Sequence, residues 1–278
     1  MGIGTGVELE WSIVYHSLLK SGMTPAAAKK RNSKLKAYNA SVAKDAQSAV
    51  SHVEEVIGTS NLRYAFHSDE YKGGIPGNPE PKTDLVYAVP NKLYKCSVKM
   101  KGGIQLASGQ GASTALTFRR VVDSMNLTQV KKRTINQLID DIEGMPTRLL
   151  SERNVDRIKK TGKAKLINEF LSSGNTIKKD KSYEYWLANN KEKLMGDLLS
   201  FFENNPDFVF KLIHEAMTGK LVFTGAMKDA AANYMLTPDM FGPINNAYVR
   251  KIMPRTTVDI RAKSRSGITS LAFRFDVR

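Results

Sequence analysis

Two apolar segments separated by a short polar turn constrain the fold of this chain more than any other feature. Leu85 to Val89 forms the first segment, Pro90-Asn91-Lys92 forms the turn, and Tyr94 to Lys101 forms the second segment. Successive side chains of a β-strand point to opposite faces. One face of the second segment therefore carries Tyr94, Cys96, Val98 and Met100, and the other carries Lys95, Ser97, Lys99 and Lys101. The pattern predicts two neighbouring strands with polar side chains gathered on one face.

A carboxylate stands immediately before the first of these strands, in Pro81-Lys82-Thr83-Asp84. There, Asp84 would face Ser97 and Lys99, two positions apart on the second strand. A divalent metal held beside a cationic group is what metal-assisted cleavage of a phosphodiester needs. Two plainer interpretations stay open: Asp84 as a turn carboxylate and Lys99 as a solvated strand lysine.

The charge of the chain favours a partner that carries phosphates. The 278 residues have a net charge of +15 and a pI near 9.7. The lysines and arginines recur along the whole sequence and are not confined to one tail. Nucleic acid or another anionic surface is therefore the expected kind of partner, with nucleic acid favoured, and a basic protein whose charges are merely solvated is the alternative.

The cellular compartment of the protein is predicted from features that the sequence lacks. No apolar run approaches the ~20 residues that span a bilayer, and no charged region followed by an apolar core begins the chain. The only cysteine, Cys96, cannot form an internal disulfide, which is typical of a reducing compartment. We therefore expect a cytoplasmic protein with no membrane partner, and a phage-encoded protein is one such case. The four histidines show no metal-ligand spacing.

The order of predicted elements indicates an α/β (α+β) fold, a mixed central sheet flanked by helices. Helices are predicted over Val7 to Lys20, from Thr24-Pro25, and over Ala40 to Ile57, and a strand over Asn61 to Phe66. Residues 128 to 235 are predicted to be mostly helical. Strict alternation over Thr257 to Ala262 and Ser270 to Val277 predicts an antiparallel pair. The predicted parts are a core at 1–126, a helical insertion or subdomain at 127–240, and a C-terminal hairpin at 241–278 that rejoins or extends the core sheet.

These motifs resemble the PD-(D/E)XK nuclease superfamily, which includes restriction endonucleases and Holliday-junction resolvases. Pro81-Lys82-Thr83-Asp84 is similar to its first element, with two extra residues between proline and aspartate, and Ser97-Val98-Lys99 is similar to the (D/E)XK triplet. Gly4 to Glu10 resembles the start of the resolvase first helix. Ser97 departs from the pattern, because the family has a carboxylate there.

The resemblance implies a restriction-endonuclease-like core and a role for each matching residue. Asp84 would ligate Mg²⁺ or Mn²⁺, together with Glu8 or Glu10 from the first helix. Lys99 would stabilise the pentavalent phosphate or orient the attacking water. Ser97 would hold a water bound to the metal, and Gln105 would contact a phosphate or the attacking water. Many enzymes of this superfamily act as dimers, so a homodimer is also implied. Glu8 and Glu10 also suit a first helical turn for electrostatic reasons alone.

Basic residues outside this constellation are predicted to grip DNA through its phosphates. They are Lys101, Arg119, Arg120, Arg261, Lys263 and Arg265. For those near the C-terminus, the alternative is a charged edge strand that resists aggregation.

The sequence thus leads to three hypotheses. The first is a Mg²⁺-dependent DNA endonuclease, and the second is a non-catalytic DNA-binding or phage structural protein on a degenerate nuclease fold. The third, a basic scaffold protein without nucleic acid, explains the charge less well.

Overall fold

A computed structural model describes residues 5–31, 40–71, 82–100, 104–107, 111–140, 192–193, 195–263 and 270–277. The chain divides into two compact units. The first comprises Met1–Gln105, His214–Arg255 and Val277–Arg278, and the second comprises Leu106–Ile213 and Thr256–Asp276. Among the described residues, none of the helices combines the length and apolar character required to cross a membrane.

Three helices begin the first unit: α1 (Thr5–Lys20), α2 (Pro25–Arg31) and α3 (Ala40–Ile57). The helix predicted over Val7 to Lys20 is confirmed, and its apolar residues at helical spacing, Trp11, Val14, Tyr15 and Leu18, are all buried. The C-terminal end of α1 is capped. Gly22 adopts φ 95°, and the amide of Met23 donates to the Leu18 carbonyl at 3.1 Å, as expected of a left-handed helix terminus.

A five-stranded mixed sheet packs against these helices. Its strands are β1 (Ala65–His67), β2 (Leu85–Val89), β3 (Lys92–Val98), β5 (Tyr234–Thr237) and β6 (Met240–Pro243), in the order β1-β2-β3-β5-β6. Only the β3–β5 pairing is parallel, and the others are antiparallel. The prediction of a mixed sheet flanked by helices is confirmed.

The hairpin of β2 and β3 has the turn and the two faces that alternation predicts. Asn91 occupies the turn with φ 68°, a left-handed conformation that asparagine tolerates. Tyr94, Cys96 and Val98 lie in a hydrophobic core with residues of α1 and α3. Ser97 therefore points to the opposite face, and its 2% exposure shows that this face is also covered.

Two local predictions differ from the structure. The segment expected to be a strand over Asn61 to Phe66 is mostly a 3-10 helix, Thr59–Tyr64, and the strand β1 begins only at Ala65. The region expected to be helical up to 235–240 contains most of the β5–β6 hairpin. Here Asp239 donates its amide to Thr237 Oγ1 at 3.1 Å in the connecting turn, so Pro238-Asp239 marks a strand reversal.

The C-terminal strands do not join the five-stranded sheet. The strands β7 (Thr256–Lys263) and β8 (Ser270–Val277) form a separate three-stranded sheet with β4 (Ile104–Ala107), in the order β4-β8-β7. The predicted pairing of the hairpin with the core sheet was therefore wrong, because the hairpin pairs with β4 instead. The strands that extend the sheet of β1, β2 and β3 are β5 and β6.

Other helices are described around these strands. They are α4 (Gly111–Asp123), α5 (129–140), α6 (195–203), α7 (Pro206–Thr218) and α8 (Asn246–Ile252). Aromatic side chains from three of them pack together: Phe118 of α4, Phe202 of α6 and Phe208 of α7. Residues 141–191 of the predicted helical insertion lie outside the described residues.

Candidate active site

The backbone of Asp84 is fixed by hydrogen bonds on both sides, one residue before β2 begins. Its amide donates to the Cys96 carbonyl at 2.8 Å, and its carbonyl accepts from the Ser68 amide at 3.0 Å. Since Leu85 pairs with Cys96, Asp84 lies opposite Ser97, on the face that alternation assigns to polar residues. The strand ladder thus determines where this carboxylate points.

Asp84, Ser97 and Lys99 form one compact polar cluster. The Asp84 carboxylate accepts a hydrogen bond from the Val98 amide at 2.6 Å and lies 3.4 Å from Ser97 Oγ. Lys99 Nζ lies 2.8 Å from Ser97 Oγ and 3.7 Å from Asp84 Oδ2. The exposed fractions of the Asp84 and Lys99 side chains are 21% and 22%. The ion pair is therefore partly buried but still accessible to a ligand.

The ammonium of Lys99 is positioned by the strand end on which it stands. Its backbone amide donates to the Leu236 carbonyl of β5 at 2.9 Å, which continues the parallel pairing beyond Val98. Its Nζ also donates to the Val98 carbonyl at 2.9 Å. Because Ser97 and Val98 hold the ammonium, Lys99 is not one of several freely solvated strand lysines.

Of the two helical glutamates, Glu10 interacts electrostatically with Asp84 and Lys99. Burial raises the pKa of its carboxyl above the ordinary value. The negative charge of Asp84 acts in the same direction, whereas a hydrogen bond from His67 and the charge of Lys99 oppose it. Glu10 is therefore close enough to Asp84 and Lys99 for their charges to act on it. Glu8, two residues earlier, is partly buried.

His67 is a site residue that the sequence did not indicate. Its Nε2 lies 3.1 Å from Glu10 Oε2, and its ring stacks on Trp11 with centroids 3.9 Å apart. The amide of Asp69 donates to Nδ1 at 3.2 Å, so in the neutral ring Nε2 carries the proton and donates to Glu10. His67 thereby fixes the orientation of the Glu10 carboxylate.

The donor set of the cluster fits Mg²⁺, an ion that binds through one or two carboxylates and keeps several waters. Within the described part of the chain, the Val98, Ser97 and Lys99 contacts of Asp84 all involve Oδ2. Oδ1 is thus the oxygen best placed for a ligand. Across the same described ranges, no group of three His, Cys, Asp or Glu side chains could hold a metal by itself. Waters and substrate oxygens would have to complete the coordination.

The remaining predicted site residues are less fully described. Gln105 lies in β4, and Arg261 and Lys263 lie in β7, but their side chains are outside the described set. Lys101 and Arg265 lie outside the described residues altogether. On α4, Arg120 is exposed, whereas Arg119 forms a 2.7 Å ion pair with Asp140.

No protein-family model, curated protein or solved structure matches this chain.

Proposed function

We propose that this protein is a metal-dependent DNA endonuclease that hydrolyses phosphodiester bonds at the cluster of Asp84, Glu10 and Lys99. The observation that carries the proposal is the 3.7 Å approach of Lys99 Nζ to Asp84 Oδ2, with a largely buried Glu10 carboxyl near enough for both charges to act on it. Elements distant in sequence bring together two carboxylates and a lysine that resemble the restriction-endonuclease-like constellation.

Each residue of the cluster has a distinct task in this proposal. Asp84 and Glu10 would hold Mg²⁺ or Mn²⁺, which when bound lowers the pKa of water and offsets phosphate charge. Lys99 would stabilise the negative charge that develops on the phosphate oxygens. Ser97 holds the Lys99 ammonium from 2.8 Å, and His67 holds Glu10.

Affinity for DNA would come mainly from the basic surface. A net charge of +15 favours binding through phosphates, and such binding weakens steeply as salt rises because counterions are released. Among the predicted contacts, Arg120 is exposed on α4 and is the best candidate for a phosphate contact. Arg119 could contact a phosphate only after its ion pair with Asp140 is broken.

A second function is favoured by one specific feature, the serine at position 97. A serine hydroxyl is neutral and a weaker ligand for Mg²⁺ than a carboxylate, and Lys99 already uses it. On this view the chain is a non-catalytic DNA-binding or phage structural protein that keeps the nuclease-like fold without metal chemistry.

Wild-type protein incubated with supercoiled, linear and branched DNA distinguishes the two functions. We expect cleavage in Mg²⁺ or Mn²⁺ and none in EDTA. An Asp84→Ala preparation purified in parallel controls for a contaminating nuclease. Salt-sensitive DNA binding with no cleavage in either metal would favour the non-catalytic function.

A further inference from the structure

A cavity of about 520 Å³ lies on the first unit, away from the Asp84 cluster. It is lined by Arg31, Tyr64, Phe66, Glu70, Tyr71 and Ala88. All six residues are partly buried, so the cavity is walled by side chains and open to a ligand. Its volume is in the range of small-molecule sites in proteins.

The aromatic and cationic walls of this cavity are held in fixed positions. The Arg31 guanidinium lies over the Phe66 ring at 4.5 Å from its centroid, and it donates to the Arg63 carbonyl at 2.6 Å. Phe66 and Tyr71 meet edge to face with centroids 5.8 Å apart. A flat guanidinium and aromatic rings are surfaces on which a nucleobase stacks.

The composition of the walls favours a base over a free phosphate. Three of the six lining residues are aromatic, and Glu70 adds a carboxylate to the lining that also contains Arg31. A carboxylate repels a phosphate but accepts hydrogen bonds from the amino and imino groups of a base. A site for inorganic phosphate would instead gather cations and backbone amides.

The cavity lies on the same face of the sheet as the Asp84 cluster. Val86 pairs with Phe66 and with Lys95, so alternation places Asp84, Val86 and Ala88 on one face of the β2 segment. Asp84 and Ala88 are four positions apart along the strand, a distance of about 13 Å at the usual rise per residue. Along the axis of B-form DNA, where each nucleotide of a strand rises about 3.4 Å, this distance spans about four nucleotides. An extended single strand would cover it with fewer nucleotides.

We propose that this cavity binds an unpaired nucleobase of the nucleic acid, a few nucleotides from the phosphate at the Asp84 cluster. The proposal rests on the nucleic-acid function argued above and adds a substrate class to it. The preferred DNA would have a single-stranded segment or a displaced base beside the phosphate at Asp84.

Binding of a fluorescent oligo(dT) strand, compared with an abasic strand of the same length, tests this site. The measurement is made in EDTA, so that neither strand is cleaved. Because both strands carry the same phosphates, a difference in affinity reports contact with bases. We expect oligo(dT) to bind about 5- to 150-fold more tightly, the range for stacking of one base.

Three variants locate the contact. Tyr71→Ala and Arg31→Lys should each reduce the preference for oligo(dT) toward unity, because the lysine keeps the charge but loses the flat stacking surface. Arg250→Lys, the same change on α8 outside the cavity, should leave the preference unchanged. Thermal unfolding of each variant checks that it is folded. If Tyr71→Ala does not fold, the conservative Arg31→Lys variant still tests the proposal.

Equal affinity for the two strands, or a preference that survives both cavity variants, overturns the proposal. Failure of the nuclease function gives a different result. Without cleavage in Mg²⁺ or Mn²⁺, a base preference that depends on Arg31 still supports the cavity as the base-binding site of a non-catalytic protein.

Discussion

Glu10 Oε2 lies 3.1 Å from His67 Nε2, and this contact ties the first helix to the edge strand of the five-stranded sheet. The exposed fractions of the two side chains are 17% for Glu10 and 6% for His67. Burial at this junction raises the pKa of the Glu10 carboxyl. The contact with His67 therefore positions a candidate metal ligand, while burial of the same carboxyl delays its ionisation as pH rises.

The raised pKa of Glu10 predicts a pH-dependent effect of Glu10→Gln on stability. The folded protein keeps the Glu10 proton at pH values where the unfolded chain has released it. Stability from this group is therefore complete below the ordinary glutamate value of 4.5 and is lost as pH rises through the higher folded pKa. The glutamine variant lacks this loss, so its unfolding temperature relative to wild type should increase with pH. If the difference in unfolding temperature between the variant and wild type does not change as pH rises above that ordinary value, Glu10 does not have a raised pKa in the folded protein.

Ser97→Asp should strengthen metal binding by placing a third carboxylate beside Asp84. The new carboxylate would lie near the Lys99 ammonium, now 2.8 Å from Ser97 Oγ, and that cation limits mutual repulsion of the acids. Ser97→Asn has the same size without the charge and is the matched control. We expect Mn²⁺ titration to give an affinity at least several-fold higher for the aspartate variant only. Equal Mn²⁺ affinities of the two variants would show that the metal does not bind beside residue 97.

A buried hydrogen bond between Ser17 and Tyr87 should show strong coupling in a double-mutant cycle. Their oxygens lie 2.9 Å apart, and both residues are 0% exposed. Removing either hydroxyl leaves the other buried and unpaired, which costs about 1–3 kcal/mol. Tyr87→Phe combined with Ser17→Ala should cost less than the sum of the single changes, as measured by chemical denaturation. Additive free energies would rule out the coupling.

Gly219 ends α7 at a position where no side chain fits. Its φ is 66°, and an added Cβ would meet Phe223 Cδ2 at 2.6 Å and Lys82 Cγ at 2.9 Å. The turn is also fastened by Glu215, whose carboxylate accepts the Leu221 amide at 2.9 Å. Gly219→Ala should therefore lower the free energy of unfolding by about 2–4 kcal/mol, from overpacking and left-handed strain together.

The matched control for this substitution is Gly225→Ala. Gly225 has a similar φ of 59°, but nothing lies within 4 Å of its added Cβ. Only the backbone penalty of about 1–2 kcal/mol applies there. If urea denaturation gives equal losses for the two alanine variants, crowding by Phe223 is not the cause.

Local patterns predicted the centre of this fold well. Alternation over Leu85–Lys101 placed Ser97 and Lys99 on one face, and the structure confirms this with a 2.8 Å contact. The apolar spacing of α1 predicted its buried face. In both cases the information lies within a few residues, where strand and helix periodicities act directly.

Pairings between distant segments could not be predicted in this way. The strand β5 joins β3 across more than a hundred residues, with Met235 opposite Ser97. Its short apolar run is compatible with either a helix or a strand until a partner strand is known. The same limit explains the hairpin of β7 and β8, whose alternation predicted two strands but not their pairing with β4.

The choice between Glu8 and Glu10, and the role of His67, also depend on tertiary contacts. Two residues on a helix differ by more than half a turn in direction, so only one glutamate can face the sheet. His67 stands in a three-residue strand too short to show a period. Its stacking on Trp11 becomes visible only when α1 packs on β1.

Cleavage of supercoiled DNA by paired variants tests the central proposal most directly. Asp84→Ala and Lys99→Ala remove the cluster. Asp229→Ala and Lys95→Ala remove a comparable ion pair, 3.4 Å long, in which the lysine stands in the middle of β3. We predict metal-dependent cleavage that falls about 100-fold or more in the first two variants and persists in the second two. Absence of cleavage in wild type, with equal salt-sensitive DNA binding in all the proteins, would contradict the nuclease assignment.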